Sequence, residues 1–189
     1  GVDSEALSAQ YQYTMDLNTS FTGDDNLYVR LRTGNGDGTP FGSSTYGTYL
    51  SSNSSKYSDN LAVDKIWYTF PVGENNTVWV GPKIENYYMH ATAPSIYKPT
   101  LKQFALGGNG AAYGASTKAG AGWAYKADNG FAVSSNIVSA NTGIATNESV
   151  TSWATQVGYT QPQYSASLMV NQKFNGWEDG YYSTTKGHY

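Results

Sequence analysis

The sequence predicts an all-β fold, an antiparallel transmembrane β-barrel meander of about eight strands. Three observations predict it. Apolar residues alternate with polar ones along run after run, so each strand has one apolar and one polar face. The connections between runs alternate between short polar turns and long polar loops, which gives the meander two unlike rims. Charged residues make up only 13% of the chain, about half the roughly 25% of an ordinary soluble domain. Strands with one lipid face and one wet face carry this combination.

Each element follows in order. Residues 10–22 form the first expected strand, with Tyr11, Tyr13, Met15, Leu17 and Phe21 on one face. Gly23-Asp24-Asp25 has the chemistry of a tight turn. Residues 27–33 return, and Leu27, Val29 and Leu31 interleave with Tyr28, Arg30 and Arg32. Residues 34–60, rich in Gly, Ser, Asn and Tyr, read as a long loop. Residues 61–72 place Ile66, Tyr68 and Phe70 on one face and Lys65, Trp67 and Thr69 on the other. Residues 73–76 turn, and 77–84 return.

Residues 85–115 are the longest irregular stretch, with Pro94, Pro99 and a Gly-rich run at 107–110. A loop of that length in a compact domain is usually functional or disordered. In residues 116–127, Ala119, Ala121, Trp123 and Tyr125 oppose Lys118, Gly120, Gly122 and Lys126. Asp128-Asn129-Gly130 is a strong hairpin signal, and 131–139 return. After a medium loop at 140–149, residues 150–159 set Trp153, Thr155, Val157 and Tyr159 against Ser152, Ala154, Gln156 and Gly158. Residues 160–163 turn. Residues 164–173 complete the series, with Tyr164, Ala166, Leu168 and Val170 on the apolar face. Aromatic pairs flank the short turns (Tyr68 and Phe70, Tyr125 and Phe131, Tyr159 and Tyr164), where an interfacial girdle would sit.

Composition excludes several classes. The formal net charge is −3 and Lys and Arg do not cluster, so no nucleic-acid footprint is expected. There is no cysteine, hence no disulfide framework and no thiolate metal site. No apolar run approaches the roughly 18 residues of a membrane helix, whereas barrel strands need only about 9–11. His90 and His188 are the two histidines and stand far apart in irregular stretches. No catalytic serine–histidine–acid set and no histidine metal pair is expected. Asn35-Gly36-Asp37-Gly38 lacks the acidic ligands that would make it a calcium loop. The chain is expected to be no enzyme and to carry no cofactor.

Several stretches together resemble a known family. They are Asp16-Leu17-Asn18-Thr19-Ser20-Phe21-Thr22-Gly23, Leu27-Tyr28-Val29-Arg30-Leu31-Arg32-Thr33-Gly34-Asn35 and Val63-Asp64-Lys65-Ile66-Trp67-Tyr68-Thr69-Phe70-Pro71-Val72-Gly73. Val78-Trp79-Val80-Gly81-Pro82, Asp128-Asn129-Gly130-Phe131 and Val138-Ser139-Ala140-Asn141 continue the order. In this succession the chain resembles the carbohydrate-selective porin family, in its cyanobacterial outer-membrane branch. The resemblance implies a barrel of about 16 strands that passes small hydrophilic solutes such as sugars and inorganic ions. Members of that branch also grip cell-wall polymer through an S-layer-homology region. That region and the later barrel strands are not found here, so the chain is expected to be a fragment of such a porin. Whether three barrels associate as a homotrimer is left open by the sequence.

The candidate site residues follow from alternation. Tyr28, Arg30, Arg32, Lys65, Trp67, Lys118 and Lys126 fall on polar faces and would line a pore. Such a basic ladder would enrich anions, less whatever Asp64 and Glu85 offset. Tyr87, Tyr88, Tyr97, Lys98, Lys102 and Phe104 belong to the 85–115 loop. Folded inward, they would form a constriction with aromatic faces and charged donors. The expected function is therefore a passive, water-filled channel of the outer membrane, in contact with its lipid. The competing expectation is a soluble all-β glycan-binding or adhesin domain. Regular alternation of loop length favours the channel, because Greek-key sandwiches mix their connections.

Overall fold

A computed structural model describes residues 11–35, 59–92, 117–140, 144–175 and 187–188. Eight long strands and one short one form a single sheet: β1 Gln12–Thr19, β2 Asn26–Gly34, β3 Ala62–Val72, β4 Asn76–Ile84, β5 Lys118–Lys126, β6 Phe131–Ser139, β7 Thr151–Gln161, β8 Tyr164–Phe174 and β9 Gly187–His188. Their order in the sheet is their order in the chain, and every neighbouring pair is antiparallel. The all-β meander expected from alternation is therefore what the chain forms. The sheet is open: among the described residues β1 pairs only with β2, and nothing joins β1 to β8 or β9. The eight strands do not close on one another.

The short connections show why these strands end where they do. Gly23, Gly73 and Gly130 all have positive φ, the left-handed conformation that tight turns need and side chains resist. The first turn is longer than the sequence suggests, because residues 20–25 wrap around Asp25. Its Oδ1 accepts from Ser20 Oγ at 2.7 Å, Phe21 N at 3.0 Å, Thr22 N at 2.8 Å and Thr22 Oγ1 at 2.8 Å. Its Oδ2 accepts from the Tyr68 hydroxyl of β3 at 2.5 Å. These donors, Tyr68 foremost, hold the Asp25 carboxyl well below the ordinary carboxylate range.

Three register shifts break the ladder, between β2 and β3, β3 and β4, and β4 and β5. Arg30 pairs with Lys65 but Leu31 pairs with Val63, so Asp64 is the extra residue of a bulge. A bulge puts two successive side chains on nearly the same side, and Asp64 thereby joins Lys65 on the polar face. The other two lie together near the end of β4, which slips against β3 between Ile66 and Tyr68 and against β5 between Gly81 and Ile84. They end the strand and aim the chain back across the sheet, into a single 3-10 turn at Asn86–Met89.

The sheet has two unlike faces. One bears residues 84–92 and is called the covered face; the other is the open face. The open face carries the large apolar side chains, and they are exposed: Leu17, Val80, Trp123, Ile137, Trp153, Val157, Tyr164, Val170 and, at 75%, Leu168. The covered face carries polar side chains, and they are buried: Lys65, Ser134, Asn136, Ser152, Gln156, Asn171 and Lys173. A small apolar cluster of Trp67, Ile84, Met89 and Val138 sits among them.

Candidate functional site

The site is the strip where residues 84–92 lie on the covered face of β3 to β7. Its floor is made by glycines. A Cβ on Gly81 would lie 2.5 Å from Trp67 Cβ, and one on Gly120 2.9 Å from Ile84 Cγ2. On Gly122 it would meet Met89 Sδ at 2.7 Å, and on Gly158 Thr92 Oγ1 at 2.0 Å. Real Cβ atoms do not approach that closely, so only glycine lets the crossing segment sit this near β5 and β7, and lets β3 pass this near β4 at Gly81. The four come from β4, β5 and β7, all at polar-face positions of the alternation.

Hydrogen bonds pin the segment along its length. Asn86 Nδ2 donates to Asn136 Oδ1 at 2.7 Å and to the Ser152 carbonyl at 3.2 Å. The Ala91 amide donates to Ser134 Oγ at 3.0 Å. Gln156 takes both backbone groups of Thr92: Oε1 accepts from its amide at 3.0 Å and Nε2 donates to its carbonyl at 2.9 Å. Each is buried, so each bond also avoids the cost of a stranded polar group.

The near end is held by charge. Lys65 Nζ lies 3.2 Å from Glu85 Oε1, with both side chains more than nine-tenths buried. It also donates to the Tyr87 hydroxyl at 3.1 Å and the Tyr88 hydroxyl at 3.0 Å, filling all three of its donor positions. Glu85 further accepts from Thr117 Oγ1 at 2.5 Å. Burial first, and then the Glu85 charge, push the Tyr87 hydroxyl up and keep it neutral. The rings of Tyr28, Trp67, Tyr88 and Tyr87 run in contact, with successive centroids 4.2, 4.6 and 4.3 Å apart.

The sequence-selected residues can now be placed. Tyr28, Arg30, Arg32, Lys65, Trp67, Lys118 and Lys126 all lie on the covered face, as the strand registers require. Tyr28, Trp67 and Lys65 meet Tyr87 and Tyr88 from the loop. Lys118 and Lys126 stand exposed at the two ends of β5, away from that cluster. The cations do not form an unopposed ladder. Arg30 Nε is 2.7 Å from Asp16, which also accepts from the Tyr28 hydroxyl at 2.5 Å. Arg32 is 3.8 Å from Asp64, and Lys65 is paired with Glu85. Tyr97, Lys98, Lys102 and Phe104 lie outside the described residues.

Sequence reasoning did not single out Asn86, Asn136, Gln156 or the glycine floor. The signal was present, since Gly81, Gly120, Gly122 and Gly158 interrupt the same face of three strands. His90 is on the segment, with Nδ1 3.3 Å from Asn136 Nδ2. Burial lowers its pKa from 6.5 to about 4, so it is neutral at physiological pH. Among the described residues no three His, Asp or Glu side chains gather as a metal site. No family model, curated protein or solved structure matches this chain.

Proposed function

We propose that the sheet is an arc of wall in an outer-membrane porin, a passive water-filled channel for small hydrophilic solutes. The observation that carries the reading is the reversal of the two faces. In a water-soluble protein, polar side chains are mostly exposed and large apolar ones are mostly buried. Here Leu168, Val157, Trp153 and Ile137 are exposed, while Gln156, Asn136 and Ser152 are buried. That order suits hydrocarbon on the open face and water on the covered one.

A second feature supports it. Polar groups on the open face satisfy one another across strands, as hydrocarbon demands. Trp123 Nε1 donates to Asn76 Oδ1 at 2.9 Å, and Trp153 Nε1 donates to Ser135 Oγ at 2.9 Å. Ser135 Oγ in turn lies 3.2 Å from Thr155 Oγ1. Toward the short-turn rim, Phe21, Tyr68 and Phe70 are neighbours, as are Phe131, Tyr159 and Tyr164. These rings would form the interfacial girdle, with the short turns facing the periplasm.

In this reading residues 84–92 narrow the channel from inside, and Arg30, Arg32 and Lys65 line it as balanced pairs with acids. The pore is then polar with little net charge along β1–β3, and strong anion preference is not expected from these three cations. The test is purification and planar-bilayer recording. A channel should need detergent, keep its fold in it on heating, and give stepwise currents. A monodisperse, detergent-free protein that gives no current would overturn the proposal and favour a soluble glycan-binding domain.

A further inference from the structure

The crossing segment is held by a relay of hydrogen bonds that runs one way only. The Ser152 carbonyl can only accept, so Asn86 must present Nδ2 to it. The same Nδ2 donates to Asn136 Oδ1. Asn136 therefore presents its own Nδ2 to His90 Nδ1, and His90 Nδ1 must be the acceptor. Only the neutral ring, protonated on Nε2, completes the relay.

A proton on Nδ1 would set donor against donor. Flipping Asn136 would move the clash to Asn86 Nδ2. Flipping Asn86 as well would set its Oδ1 against the Ser152 carbonyl, two acceptors about as close as the 3.2 Å bond they replace. No flip of the two amides accommodates a proton on Nδ1 without a repulsive contact. Asn86 and Asn136 are buried, so water cannot readily relieve it.

The ionisable groups around His90 do not offer a carboxylate from the sheet. The segment packs on β5, β6 and β7. The covered-face positions of β6 (Ala132, Ser134, Asn136, Val138) and of β7 (Ser152, Ala154, Gln156, Gly158, Thr160) carry no ionisable side chain. β5 carries Lys118 and Lys126 at its ends. The segment itself brings Glu85, Tyr87 and Tyr88, and Glu85 is engaged by Lys65. The burial that already lowers the His90 pKa acts in the same direction.

We infer that residues 85–92 are a proton-released strap: protonation of His90 breaks the relay, and the segment lifts from the glycine floor at acid pH. As a regulator of channel width this rests on the porin reading, but strap release itself does not. The test follows amide hydrogen exchange of the detergent-solubilised full chain between about pH 8 and pH 4, corrected for intrinsic exchange. Currents are recorded on the same preparations.

Protection of the Ala91 and Thr92 amides should fall roughly tenfold or more as pH drops from 6.5 toward 4. His90→Gln offers an acceptor to Asn136 that does not titrate, and it should keep the strap protected throughout. Lys65→Met combined with Glu85→Gln removes the carboxylate at the strap's near end without stranding its partner's charge and should leave the response in place. The proposal is overturned if the native strap stays protected at the acid end. It is also overturned if His90→Gln releases with the native midpoint, or if the Lys65→Met, Glu85→Gln double variant abolishes the response. An exchange response with currents that ignore pH upholds strap release and refutes only its role in a channel.

Discussion

Val157→Arg separates a membrane wall from a soluble sheet. Val157 lies one residue from the centre of β7, faces the open side and is 47% exposed. Its cross-strand neighbours on that face are Val133 and Leu168. In water, an arginine at so exposed a position would change stability by no more than about 0.5 kcal/mol. Near a bilayer midplane it should cost about 2–4 kcal/mol, a loss of roughly 30- to 1000-fold in the folding equilibrium. Ser167→Arg is the matched control. Ser167 pairs with Gly158 on the covered face, next along the strand from Leu168, so depth is nearly equal and the face differs, at the loss of the 3.3 Å bond that Gln156 Nε2 donates to Ser167 Oγ. The assay is urea titration of the chain refolded into lipid vesicles, read by tryptophan fluorescence. Loss of stability in Val157→Arg with little change in Ser167→Arg is expected. Equal tolerance of both charges, or a Val157→Arg protein that behaves well without detergent, would refute the assignment of faces.

Three further outcomes follow from the same geometry. Gly158→Val places a Cβ on Thr92 Oγ1 and should lift that end of the segment, speeding exchange of the Thr92 amide and, if the proposed channel reading holds, raising conductance. An unchanged current with a lifted strap would separate the segment from the conduction path. Lys65→Met strands the buried Glu85 carboxylate and should cost about 3–5 kcal/mol by thermal or urea unfolding. Lys65→Met with Glu85→Gln should recover most of that loss, and failure to do so would make the ion pair incidental. The Asp25 pKa is lowered in the fold, so its stabilisation is present above the ordinary carboxylate pKa and disappears as pH falls below it. Asp25→Asn should therefore weaken the β1–β2 turn at neutral pH and flatten the acid limb of the stability profile, as amide exchange at Phe21 and Thr22 would report.

Strand existence and facing were legible because the side-chain period of a strand is fixed at two. That single rule placed Trp153, Val157 and Leu168 on one face, and Gln156 and Arg30 on the other. What it could not show was anything that breaks the period. The bulge at Asp64 shifts a carboxylate onto the face of Arg32, and no local residue pattern announces it. The charge pairs were hidden because they form between strands: Asp16 meets Arg30 through strand register, and Glu85 meets Lys65 only after β4 ends in its own irregularity. The loop offered Tyr87 and Tyr88 to inspection, and both do fold back on the sheet. The residues that receive the segment lie on strands far along the chain, where glycine looked like a break in polarity rather than a floor.

The glycine floor also sets an order of assembly. β1 to β8 form hairpins and neighbouring pairs, many of them closed by short turns, and these can form early. The bonds that hold the crossing segment span much longer reaches: 43 positions from Ala91 to Ser134, 64 from Thr92 to Gln156 and 66 from Asn86 to Ser152. Contacts of such separation close late, because the intervening chain must lose its freedom first. The segment can settle fully only after β7 has been synthesised and paired. Until then Trp67 and the bare strip beside it are open to other partners. In a nascent chain that interval is the time of greatest exposure, and slowing the arrival of β7 should lengthen it.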